Sequence, residues 1–413
     1  MTGLGPAPAE ALAQATPDLL RIRSGRGRAL VGGFTVAHFM QHVVTTLLNP
    51  LLPLIRDTFA LSYAQSGFVV SAYSISLGLA NAPMGILADR VGSRVVLAAG
   101  LVLVGVAAVA LAVAAQYWQV LLLLIGMGIV SATYHAPAVG ILSRSFPDRT
   151  RGAAMGVHTA GGSLAVFASP LVAAFFASSL APDRAWRSAY LWTAAVPIVC
   201  GVAVWLVAPS GVRAARVGRG WLAATREVFD VFRDLGRVVA LSIAFQVIWA
   251  AMLAFLAIYL VDARGLDPAA AAALFAVPQA AAVVGPLVGG PLSDRIGRRV
   301  VIAVGLGVFG PAMWLFTLTP TALVAVPLAV AGLTAGMRTN VTEVLVAESS
   351  PADRRATVLG TYYLLAAHIG GLAAPALGAL AGAVGIATAF VWVGVLLTAL
   401  SALTIVLTLT RSL

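Results

Sequence analysis

The sequence contains no lysine and a single cysteine, Cys200. Only 10% of its 413 residues are charged, against about a quarter in an ordinary soluble protein. One cysteine excludes an intrachain disulfide and a cysteine-based metal site. The scarcity of charge excludes a soluble globular chain. No P-loop, nucleophile–base pair or metal cluster is visible, so neither an enzyme nor a cofactor is expected. The first 28 residues lack the apolar core of a cleavable signal, and the first apolar run is as long as a full membrane span.

What the sequence has is hydrophobic length. Apolar residues make up 60% of it, with a mean hydropathy of +0.97. They fall in runs near or above the roughly 20 residues that cross a bilayer, such as "VVLAAGLVLVGVAAVALAVAA" at 95–115. Twelve spans are expected, at 29–55, 63–87, 94–115, 118–143, 152–178, 186–208, 237–262, 268–291, 299–318, 321–348, 355–383 and 386–409. The net charge of +11 is carried by 26 arginines. Apart from Arg56, Arg184, Arg187, Arg264 and the intramembrane Arg338, all of these fall on the side of the termini. By the positive-inside rule both termini are cytoplasmic, and the charge reports topology instead of a nucleic-acid partner.

The chain repeats itself. "GILADRVGSR" (85–94) returns as "GPLSDRIGRR" (290–299), with six identities at a constant offset of 205. These are Gly85/Gly290, Leu87/Leu292, Asp89/Asp294, Arg90/Arg295, Gly92/Gly297 and Arg94/Arg299. "FPDRTRGAAMG" (146–156) corresponds to "SPADRRATVLG" (350–360) at offset 204. An even number of helices separates the copies, so two six-helix halves run in parallel orientation. The expected organisation is a cytoplasmic tail (1–28), a first bundle (29–208), a basic linker (209–236), a second bundle (237–409) and a short tail (410–413). The linker reads as carrying an amphipathic surface helix at about 221–235.

Over residues 29–409 the chain resembles a major facilitator superfamily transporter. The carriers of the resemblance are the two copies of the charged loop signature, G-x-L-a-D-R-x-G-R-[RK], in equivalent loops. The glycines allow close approach of helix ends, and an Asp at a cytoplasmic corner suits a neighbouring helix N-terminus. The resemblance implies that Gly85, Asp89, Arg90, Gly92, Arg94 and their counterparts Gly290, Asp294, Arg295, Gly297 and Arg299 gate the conformational cycle.

Several polar groups lie within spans. On the first, His38, His42, Thr45 and Asn49 fall on one helical face at about 100° per residue, with Gln41 on its flank. Such a stripe cannot face lipid; it lines a cavity or bonds to another helix. All five histidines (His38, His42, His135, His158 and His368) are intramembrane, and Tyr134 adjoins His135. Histidine titrates near neutral pH, which makes His38 and His42, with the intramembrane Glu343, candidates for proton coupling. A metal is not expected: His38 and His42 have i,i+4 spacing, yet nothing nearby in sequence completes a site. Arg338 lies about 15 Å from the cytoplasmic end of its span. It either binds an anionic substrate or pairs with another helix.

Three stretches, "HFMQHVVTTLLNPLLPLI", "GMGIVSATYHAPA" and "GVHTAGGSLAVFASPLVAA", are most similar to fosmidomycin-resistance-type exporters. The arginine usual in the fourth span of drug:proton antiporters is absent, with Leu122 and Leu124 in its region. The resemblance implies a monomeric, proton-coupled secondary transporter of a small organic anion or drug-like molecule in a bacterial inner membrane, working as an exporter. Anion or metabolite uptake, or a sensor that kept the fold, are the alternatives.

Overall fold

The computed structural model describes residues 22, 24–209, 221–350, 358, 362, 365 and 370–409. The described residues form helices, in an all-α membrane fold of two six-helix bundles. Nine helices among them are long and apolar enough to cross a bilayer, and ten once the bent pair Tyr63–Asn81 and Pro83–Val91 is joined. The first span is interrupted, and part of the eleventh lies outside the described residues.

Proline sets where the helices break. α1 (Gly25–Thr46) starts at Ser24, whose Oγ accepts from the Gly27 N–H, and α2 (Leu48–Thr58) continues the same span. Pro50 has no N–H to offer the Thr46 carbonyl, and its ring crowds that carbonyl, which divides α1 from α2. α3 (Tyr63–Val91) opens on a capping box between Ser62 and Gln65 and bends by 49° where Pro83 interrupts it. α4 (Ser93–Ala112) and α5 (Tyr117–Ser131) follow. α6 (His135–Ser145) continues the fourth span after a break at 132–134, where Pro137 acts against the Thr133 carbonyl as Pro50 does in the first. α7 (Asp148–Ser179) and α8 (Pro182–Val207) complete the first bundle.

In the second bundle, α9 (Trp221–Asp262) is broken at Gly236, φ 50°. α10 (Pro268–Ile296) is capped by Asp267. α11 (Arg298–Leu318), a single 3-10 turn at Thr321–Leu323, α12 (Ala325–Glu348), α13 (Gly370–Val384) and α14 (Ile386–Leu409) follow.

The repeated signature sits at the α3/α4 and α10/α11 corners. Its central glycines, Gly92 and Gly297, have φ of 109° and 96°, a region that strains any other residue. The other pair does not serve close approach as the sequence suggests: a Cβ on Gly85 or Gly290 would meet nothing within 4 Å.

Large apolar side chains face outward, with Leu287 74% and Trp192 71% exposed. In water such a surface would aggregate; here it faces hydrocarbon. Two arginines at the end remote from the termini close helix ends. Arg187 donates to the Ala112 and Ala114 carbonyls, and Arg264 to those of Phe316, Thr317 and Thr319. Each satisfies carbonyls at the negative end of a helix, which accounts for their place on the arginine-poor side.

The bundles meet along small residues. A Cβ on Gly67 of α3 would fall 2.6 Å from the Pro375 Cα of α13, and the Ser71 hydroxyl donates to the Gly371 carbonyl. Gly67→Ala therefore forces backbone apart. It is expected to cost about 1–3 kcal/mol and to lower the melting temperature of detergent-purified protein by several degrees. Gly85→Ala, in open space, should leave it unchanged.

Candidate functional site

In the first bundle, three helices converge on a cluster of rings. His38 and His42 stand one turn apart on α1, Tyr134 and His135 flank the break before α6, and His158 comes from α7. The His38 ring centroid is 4.4 Å from that of His158, 4.8 Å from His42, 5.2 Å from Tyr134 and 5.5 Å from His135. His42 and His135 are 5.3 Å apart. Two contacts hold this arrangement. His38 Nδ1 lies 2.9 Å from the His158 carbonyl, and the Tyr134 hydroxyl donates to the Phe34 carbonyl at 2.8 Å. A carbonyl only accepts, so Nδ1 carries the proton and Nε2 the lone pair of the neutral ring. Gly162 makes room: a Cβ there would lie 2.6 Å from His38 Cε1.

The polar stripe on the first span does not act as one surface. Gln41 and Thr45 are 2% and 5% exposed and turn into the bundle. Gln41 donates to the Ser131 carbonyl at 3.4 Å and Thr45 to the Gln41 carbonyl at 3.0 Å. His42, His135 and Asn49 are half-buried. His368 lies outside the described residues.

The second bundle repeats the construction with a charge. Arg338 lies 204 residues after Tyr134, the offset that also relates Pro147 to Pro351. It is 1% exposed. Its Nη1 donates to the Ser242 carbonyl at 3.0 Å and its Nη2 to Gln246 Oε1 at 2.7 Å, both on α9. Of the two roles open to it on sequence grounds, this geometry is the helix-to-helix bond. Its charge interacts with Glu343 and Tyr362, while Nε is buried without a hydrogen-bond partner.

The two ends of the molecule differ. At the end remote from the termini, Arg56 of α2 pairs with Asp262 at the end of α9, through Nη1 and, at 3.0 Å, through Nη2. Tyr63 donates to the same carboxylate at 2.7 Å, and Arg56 Nε to Asp57 at 2.8 Å. Burial opposes the charge on Arg56, but the Asp262 and Asp57 carboxylates prevail and hold its pKa above the ordinary arginine value. Sequence reasoning left this bridge unseen. The signal was there: Arg56 and Asp262 are opposite charges 206 residues apart, close to the repeat offset.

At the terminal end, Asp89 is half-buried and makes no hydrogen bond or ion pair to another described residue. Arg90 is exposed, and Arg94 lies over the Trp205 ring, 4.7 Å from its centroid. In the second copy Arg298, next to the signature arginine Arg299, supplies an ion-pair clamp. Arg298 pairs with Asp294 and, at 3.1 Å, with Glu348. The residue 205 positions earlier is the buried Ser93, so the first copy lacks this clamp.

Comparisons agree with this architecture. The family model described as Major Facilitator Superfamily matches residues 34–289 and 238–412. The fosmidomycin resistance protein of Escherichia coli is 25% identical over 66% of this chain and 67% of its own. The multidrug resistance protein MdtG of Yersinia enterocolitica is 26% identical over 70% of each chain. A bacterial homologue of the human lysosomal transporter Spinster, solved in an inward-facing, unoccupied conformation, superposes with a TM-score of 0.75 at 19% identity. It covers 92% of this chain and 96% of that one.

If Arg338 is a strut, Arg338→Gln strips the donors from Ser242 and Gln246 together. The expected loss is about 1–2 kcal/mol, the scale of hydrogen bonds between membrane helices. It should be read as a melting temperature several degrees lower, and Gln246→Leu should show part of the same loss.

Proposed function

The chain belongs to the Major Facilitator Superfamily, whose members are transporters, and from that premise we propose that it is a secondary active exporter of a small drug-like molecule. It works by alternating access across the bacterial inner membrane, with both termini in the cytoplasm. The observation that carries this reading is the one-ended closure. Arg56, Tyr63 and Asp262 join the bundles at the end remote from the termini, while Asp89 of the loop signature makes no hydrogen bond or ion pair with a described residue at the other. With cytoplasmic termini, as the arginine distribution argues, the closed end faces outward, which supports an inward-facing reading. The signature would then engage in the opposite state, when the terminal end shuts.

Export is favoured by the names of two relatives, which concern resistance to fosmidomycin and to multiple drugs. The fixed position of Arg338 bears on substrate. An anion would have to displace Ser242 and Gln246 from a guanidinium that is 1% exposed. This favours neutral or weakly charged drug-like molecules over a dedicated anion. Proton exchange is assigned to Glu343, a half-buried acid within a span that interacts with Arg338 and Tyr362.

The reading is tested in a drug-hypersensitive bacterial host. Expression should raise the tolerated concentration of at least one neutral or weakly charged small drug several-fold. Asp262→Asn should reduce that gain, because a neutral amide loses the charge-assisted contacts to Arg56. An accessibility reporter is supplied by Ser71→Cys in a Cys200→Ser background. Adding Asp262→Asn to it should increase labelling of that thiol by an impermeant reagent applied outside. An inserted protein that confers tolerance to no compound overturns the exporter reading.

A further inference from the structure

We propose that His38, His42 and His135 form a binding site for a divalent first-row transition-metal ion of the zinc class. This names a ligand for the ring cluster of the transporter described above, but ion binding itself does not depend on the transport cycle. The sequence argued against a metal because two histidines at i,i+4 spacing had no further ligand beside them. Folding removes that objection, since the break at 132–134 brings His135 against the α1 pair. One ring nitrogen from each of the three lies within 4.8 Å of the others.

Three features suit this set to a metal and not only to ring packing. First, His38 is already oriented as metal-bound histidines are. One nitrogen donates to a backbone carbonyl, that of His158 at 2.9 Å, which fixes the tautomer and leaves the other nitrogen with its lone pair. Second, that other nitrogen, Nε2, is buried and has no hydrogen-bond partner. A buried acceptor without a partner is unfavourable, and a Lewis acid would satisfy it. Third, the three rings differ usefully in burial. His38 is 7% exposed and held, whereas His42 and His135 are half-buried. Zinc–nitrogen bonds of about 2.0–2.1 Å in a tetrahedral site need ligand nitrogens about 3.3 Å apart. A swing of about an ångström by the two less buried rings closes the difference.

The donor chemistry sets the ion. Three neutral imidazoles with no carboxylate among them suit Zn²⁺, Cu²⁺, Ni²⁺ or Co²⁺ and not Mg²⁺ or Ca²⁺, which require oxygen ligands. Three protein ligands also leave the fourth position of a tetrahedral ion open. Water would hold it, or an oxygen of a substrate entering the cavity.

The test uses the purified full-length protein in detergent, stripped of metal by chelator. Co²⁺ should produce the visible absorption bands of a tetrahedral nitrogen site, and Zn²⁺ should displace it at one equivalent per chain. Zn²⁺ should also raise the melting temperature by several degrees, and excess Mg²⁺ should do neither. His42→Gln and His135→Gln, the less buried positions, should each weaken Zn²⁺ binding at least tenfold while melting as the wild type does without metal. Wild-type protein that gives no Co²⁺ spectrum and no Zn²⁺ shift overturns the site. So does binding that survives in the doubly substituted His42→Gln/His135→Gln chain. The two readings fail separately: a chain that confers drug tolerance yet binds no metal sinks the site alone. One that binds Zn²⁺ but exports nothing sinks the transporter reading alone.

Discussion

Hydrocarbon leaves a buried polar group no water to bond with, so each must find a partner in another helix or line a wet cavity. The interior of this protein is arranged around that constraint. Gln41 reaches the Ser131 carbonyl, Ser169 the Val43 carbonyl, Tyr134 the Phe34 carbonyl and Arg338 the Ser242 carbonyl. Each bond joins two spans by spending a side-chain donor on a backbone acceptor. The backbone acceptor is fixed by its own helix, so the bond sets how one span lies against the next. Apolar packing alone would not, because lipid is as apolar as the helices it surrounds.

Duplication has kept this arrangement while changing its chemistry. Tyr134 and Arg338 occupy corresponding positions, and each donates to a carbonyl on the first span of its own bundle. One turn further along, His38 and Gln246 stand beside those carbonyls. Tyrosine supplies a neutral donor. Arginine supplies several donors and a charge, which the second bundle accommodates with Gln246 and with Glu343 nearby. The first bundle thus places ionisable rings where the second places a guanidinium, with no histidine among the second bundle's described residues.

How much of this could be read from the chain depends on range. Helix number, the parallel repeat and the side carrying most arginines follow from apolar length and from identities at a fixed offset, both local properties. Gly92 and Gly297 stood out as a repeated pair, although their reason is a positive φ instead of close approach. The four described histidines were legible as intramembrane groups one by one. Their convergence was not, since helical periodicity gives direction around one axis and says nothing of the next helix. For the same reason the first-span stripe looked continuous, whereas Gln41 and Thr45 face the bundle and His42 and Asn49 are partly open. Arg338 left two roles open because only Ser242 and Gln246, almost 100 residues earlier in the chain, distinguish them.

The closed end shows why a repeat matters to a moving protein. Arg56 and Asp262 sit near corresponding points of the two bundles, so they lie close to the axis that relates them. In the alternating-access cycle proposed above, charges there would meet when that end closes and separate when it opens, with little sliding between. A neutral pair would leave closure to the small-residue seam of Gly67, Ser71 and Gly371, which packs well but has no reach. The ion pair adds an interaction that persists over several ångströms, and its partial exposure keeps it weak enough to break. In that proposed cycle packing would select the closed geometry, and charge would bring the two bundles within reach of it.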